Sequence, residues 1–120
     1  MRLVATNEII EKKSKFLGYW FECENEDDIK DALALLKKEH KKATHICWAG
    51  RMKTPFFEKA VDDGEPSGTA GRPILNVLQK QERNNIMVAI VRYFGGVKLG
   101  AGGLVRAYAN ATADLLKNKE

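Results

Sequence analysis

The stretch that most constrains this chain is Met87 to Val91, MVAIV, an unbroken apolar run rich in β-branched residues. Such a run suits a strand covered on both faces. Gly95, Gly96, Gly100, Gly102 and Gly103 follow it, with Lys98 among them. Leu104, Tyr108, Ala111 and Leu115 then recur at the spacing of one helix face. Strand, glycine-rich turn and helix is a layout in which backbone N–H groups at a helix N-terminus can meet an anion. It is equally the layout of any tight strand-to-helix connection, so it does not define a site by itself.

The chain is 120 residues long, enough for one domain with a modest core. With 44% hydrophobic and 30% charged residues it has an ordinary globular composition, and no run reaches the roughly 20 apolar residues of a membrane span. No signal peptide is recognisable, which together with only two cysteines, Cys23 and Cys47, points to a cytoplasmic protein with buried thiols rather than a disulfide. The formal charge of +4 is mildly basic. It admits nucleic acid or an acidic protein as partner without the clustered excess of a dedicated nucleic-acid binder.

Leu3 to Ile10 and Ser14 to Cys23 read as two strands joined around Glu11-Lys12-Lys13. In the second, large apolar groups occupy both faces. Asn25 is placed as an N-cap ahead of Glu26, Asp27 and Asp28, with Ile29, Leu33 and Leu36 as the buried stripe and Lys37, Lys38, Lys41 and Lys42 at the far end. Thr44 to Arg51 and Phe56 to Val61 read as two further strands. The final helix is expected to end near Lys119.

The second informative stretch is Asp62 to Pro73, DDGEPSGTAGRP. Ile74, Leu75, Val77 and Leu78 place a helix start between Gly68 and Pro73, with Ser67 and Thr69 positioned to cap it. Asp62, Asp63 and Glu65 with His45 are oxygen-rich, but the spacing matches neither a calcium loop nor a zinc pattern, and a turn at Asp63-Gly64 accounts for it. The Gly95 to Gly103 turn is not a P-loop, because Ala101-Gly102 stands where Lys-Ser/Thr is required, and Val105 breaks the dinucleotide pattern. No nucleophile has an obvious base. No catalytic residue, metal or cofactor is expected. Both glycine-rich loops lead into helices, and Arg72, Arg92, Lys98 and Arg106 lie in or beside them, with Tyr93 and Phe94 at the strand end. If the loops meet, they make a concave basic patch able to hold phosphate or carboxylate.

DDGEPSGTAGRPIL and VRYFGGVKLGAGGLVRAY resemble the signature of the IMPACT family, which includes the bacterial YigZ proteins, and ATHICWAGR stands where that family carries its strand with an Ala-Ser/Thr-His start. The resemblance implies an α+β fold of the ribosomal-protein-S5-domain-2-like kind, a two-layer sandwich with a mixed sheet and helices packed on one face. It implies translation regulation, through the ribosome, RNA or a translation-associated protein. The candidate contact residues are His45, Asp62, Asp63, Glu65, Ser67, Thr69, Arg72, Arg92, Tyr93, Gly95, Gly96, Lys98, Gly100, Gly102, Gly103 and Arg106. Longer relatives carry a second domain. Residues 1–120 are expected to form one domain of this type without it, with a homodimer left open.

Two functions follow. One is a non-catalytic binding module acting through the two glycine-rich loops. The alternative is an enzyme on a small phosphorylated or acidic substrate, with Asp62, Asp63 or Glu65 as acid or base and Lys98 holding the anion.

Overall fold

The computed structural model describes residues 1–117, so the expected helix end near Lys119 lies outside the described residues. Five strands, β1 (Arg2–Glu11), β2 (Ser14–Glu22), β3 (His45–Met52), β4 (Phe57–Val61) and β5 (Ile86–Tyr93), form one sheet in the order β1-β2-β5-β3-β4. Three helices, α1 (Glu26–Glu39), α2 (Gly71–Lys80) and α3 (Gly100–Lys117), cover it. The central strand is β5, as its apolar run requires: Ile86, Val88 and Ile90 enter one core cluster, Met87, Ala89 and Val91 the other.

The α+β class stands, and two details of it differ from expectation. Every paired strand is antiparallel, so the sheet is not mixed. The crossover through α1 does join two strands that run the same way, β2 and β3, but β5 slots between them and is antiparallel to both. The helices also lie on both faces. α2 and α3 bury Ile74, Leu78, Tyr108 and Leu115 against Phe16, Cys47 and Ala49. α1 packs Ile29, Ala32 and Leu36 on the opposite face, against Phe21, Trp48 and Met87. Both-faced apolar strands need cover on both sides, and α1 supplies it.

Local chemistry sets the ends of α1. Asn25 Oδ1 accepts from the Asp28 N–H at 2.9 Å, the expected cap. At the far end the His40 ring lies between the hydroxyls of Tyr19 and Tyr93, each at 2.7 Å, and ties the helix end to the sheet. Cys23 and Cys47 are free, buried thiols in opposite core clusters.

Candidate functional site

The two glycine-rich loops do meet. Gly64, Glu65 and Pro66 from the first, and Lys98, Leu99, Gly100 and Ala101 from the second, border one cleft of about 420 Å³, completed by Thr44, His45, Arg92, Phe94 and Leu104. Its walls are mostly apolar and its floor is a buried ion pair.

The acidic loop is bound to the protein it leaves. Asp62 Oδ1 accepts from the N–H groups of Ala70 (3.1 Å) and Gly71 (2.8 Å), and Oδ2 from Gly68 (2.8 Å). It thereby satisfies the start of α2, the role expected of Ser67 and Thr69. Ser67 is exposed, and the Thr69 hydroxyl donates to the Pro66 carbonyl at 2.6 Å instead. A cap from this far upstream works because Gly71 lets α2 approach β4: a Cβ there would lie 2.4 Å from the Val61 nitrogen. Burial raises the Asp62 pKa, yet the three backbone donors outweigh it and hold the carboxyl below the usual range. Asp63 Oδ2 accepts from the Ile46 N–H at 2.7 Å, and its carbonyl accepts from His45 Nδ1 at 2.8 Å. That contact fixes the proton on Nδ1 and turns Nε2 toward the Glu65 carboxylate, 3.5 Å away.

Glu65, 7% exposed, accepts from Arg92 Nη1 at 3.0 and 2.8 Å and from the Tyr108 hydroxyl at 2.5 Å. Arg92, 5% exposed, also reaches Ser14 Oγ at 3.4 Å and lies over the rings of Phe16 and Phe94. Burial, the neighbouring Cys47 and the Glu65 carboxylate push the Tyr108 pKa far up, so the phenol stays a donor. Burial likewise pushes the Cys47 thiol up to about 12. Its Sγ lies 3.0 Å from the Asp62 carbonyl oxygen. Among the described residues no group of three or more His, Cys, Asp or Glu is placed to hold a metal ion.

The other expected site residues divide. His45, Glu65, Arg92, Lys98 and Gly100 line the cleft. Asp62, Asp63 and Thr69 brace the loop behind it. Tyr93 lies on the opposite face with His40, because neighbours along a strand point to opposite sides. Arg72 is exposed near β4, where its charge helps lower the Glu58 pKa, after the Arg51 and Gln79 hydrogen bonds to that carboxylate. Gly95 is structural: its N–H donates to Ser14 Oγ at 3.2 Å, and a Cβ there would lie 1.9 Å from the Lys13 carbonyl oxygen. Gly96 is exposed in the turn, and Gly102 and Gly103 lie in the first turn of α3. Arg106 borders a neighbouring depression with Gly103 and Leu99. Ser14 and Thr44 carry no local signal of a site, because their place there comes from long-range pairing. The Arg92 carbonyl accepts from the Thr44 N–H, and Thr44 Oγ1 accepts from the Phe94 N–H, both at 2.9 Å.

Fold and site together define an α+β domain whose two glycine-rich loops close an apolar cleft over a buried Glu-Arg-Tyr network. The chain belongs to the IMPACT family: the model of the Impact N-terminal domain matches residues 12–116. It is 44% identical over 109 residues to an IMPACT family member of Haemophilus influenzae, covering 88% of this chain and 53% of that protein. It is 42% identical over 113 residues to IMPACT family member YvyE of Bacillus subtilis, covering 93% and 52%. The chain thus spans about half the length of these bacterial relatives. A crystal structure of a protein described as hypothetical superposes with a TM-score of 0.91 at 31% identity, over all of this chain and 63% of that one. The two-domain translational regulator Yih1 shares the fold, with a TM-score of 0.59 at 23% identity over 93% of this chain and 46% of its own.

Proposed function

We propose that this domain is a non-catalytic binding module with a translation-associated regulatory role, contacting the ribosome, its RNA or a ribosome-associated protein through the cleft. Membership of the IMPACT family supports the setting, as does the fold shared with a protein described as a translational regulator. A cytoplasmic location belongs to the same proposal; among the described residues no helix is long and apolar enough to cross a membrane.

One observation carries the reading. The carboxylates of the acidic loop turn inward onto backbone N–H groups, Arg92 and Tyr108, whereas Lys98 and the start of α3 stay exposed at the cleft. The loop is built as a brace, and what it braces is an open, cation-rimmed cleft. The acid/base alternative draws no support from this geometry, since each candidate carboxylate already holds structural partners.

The test is co-sedimentation with ribosomes from cell extract at low and moderate salt. The reading expects salt-sensitive pelleting, weakened about tenfold in a Lys98→Ala, Arg106→Ala variant, as rim charges govern association at low salt. Failure of the folded wild type to pellet at either salt contradicts it.

A further inference from the structure

The surface around the cleft has a definite chemical character. Phe94 is 46% exposed and Val97 39%, large values for apolar side chains beside a cavity. Phe94 is also held in place: its N–H is bonded to Thr44, and the Arg92 guanidinium lies 5.4 Å from its ring. Leu99, Leu104, Pro66 and Ala101 continue the apolar wall inward.

Through Leu99 the cleft adjoins a second depression bearing Lys12, Arg106 and Glu11. With Lys98 at the mouth, three cations face one carboxylate beside an apolar centre. The first turn of α3 carries no acidic residue, so its positive end adds to the same field.

We propose that the cleft receives a large apolar side chain from an acidic segment of a partner protein. This rests on the reading of the cleft as the binding surface and names the occupant. An apolar pocket of this size, walled by a half-exposed aromatic and ringed by polar groups, is how interface anchors are seated. The cations along this edge select carboxylates beside the anchor and steer their approach. A nucleobase suits the interior less well. The floor's Glu65 and Arg92 are paired with each other, and Glu65 also with the buried Tyr108, so a buried base edge would leave donors and acceptors unmatched, a penalty a hydrocarbon side chain does not incur.

The test selects a phage-displayed library of random linear peptides against the full chain, with a mixed-sequence single-stranded oligonucleotide as a parallel probe. Ala101 is exposed and lines the cleft, so Ala101→Trp fills it without entering the core; Lys98→Glu inverts the mouth charge and leaves the cleft open. Thermal unfolding verifies that both variants fold. The proposal expects enriched peptides with Leu, Ile, Phe or Trp set among Asp and Glu. A synthetic peptide of that sequence binds Ala101→Trp at least about tenfold more weakly and Lys98→Glu roughly fivefold more weakly than wild type. Absence of enrichment, enrichment of basic or uncharged peptides, or equal binding to Ala101→Trp overturns it. So does an oligonucleotide held by wild type and released by Ala101→Trp when no peptide is enriched. Ribosome pelleting that survives a failed selection removes the acidic segment and keeps the cleft; loss of both removes the cleft as a binding surface.

Discussion

Truncating Glu65 to alanine tests whether the acidic loop is a brace. The substitution removes the carboxylate that accepts two contacts from Arg92 Nη1 and one from Tyr108, in a place where the two charged side chains are only 3% and 6% exposed. The guanidinium is then left with Ser14 Oγ at 3.4 Å, a long bond, and the phenol loses its acceptor. Stranding one partner of a buried ion pair costs about 3–5 kcal/mol. A domain of this size has roughly 5–15 kcal/mol in total, so Glu65→Ala should sit close to unfolding. In urea, with a slope of about 2 kcal/mol per molar, the midpoint should fall by roughly 2 M. Tyr108→Phe removes one hydrogen bond to a charged group and should lose about 1.5–3 kcal/mol, and its effect should not add to that of Glu65→Ala. Replacing both charges, as Glu65→Leu with Arg92→Met, should restore part of the loss, because no unpaired charge stays buried and only the Tyr108 hydroxyl still lacks its acceptor. A loss under about 1 kcal/mol in Glu65→Ala, or a double variant no better than the single one, would refute the reasoning.

Three further outcomes follow from neighbouring contacts. The Asp62 pKa is lower in the folded chain than in the unfolded one, so its stabilising effect is present above the unfolded value, near pH 4, and is lost as pH falls through the folded value; Asp62→Asn should lower stability at neutral pH and converge with wild type in acid, read by urea unfolding across that window. Burial first, and for each thiol a nearby carboxylate as well, pushes Cys23 and Cys47 up to about 12, so neither should react with a thiol reagent at pH 8 until denaturant is added. Gly95→Ala would drive a methyl group into the Lys13 carbonyl and should destabilise by about 1–3 kcal/mol, measured by urea unfolding, whereas Ala at exposed Gly96 meets no atom within 4 Å and bears only the backbone strain of its positive φ of 92°.

Much of this architecture can be read from particular residues. The apolar run Met87 to Val91 identifies the central strand, and Asn25 with its acidic first turn identifies the start of α1. The side of the sheet that α1 covers is not written in α1, whose stripe fits either face. The signal lies in β2 and β3, where Leu17, Tyr19 and Phe21 oppose Phe16 and Trp20, and Ile46 and Trp48 oppose Cys47, so both faces need cover. Alternation along β5 also shows that Arg92 and Tyr93 cannot line one site. The cap of α2 could not be found by local rules, which look a few residues ahead, while Asp62 acts across eight and nine positions. The Glu65-Arg92-Tyr108 network joins β5, α3 and the acidic loop, and only the closed fold brings them together.

Hydrogen–deuterium exchange of the full chain, alone and with ribosomes, tests the central claim most directly because it locates the contact without assuming it. The account predicts slowed exchange in residues 94–104 and 64–66, lost in Ala101→Trp, with no change in α1. Slowed exchange confined to residues 37–42, the lysine-rich end of α1 and the turn after it, would contradict it and place the binding surface on the other face of the sheet.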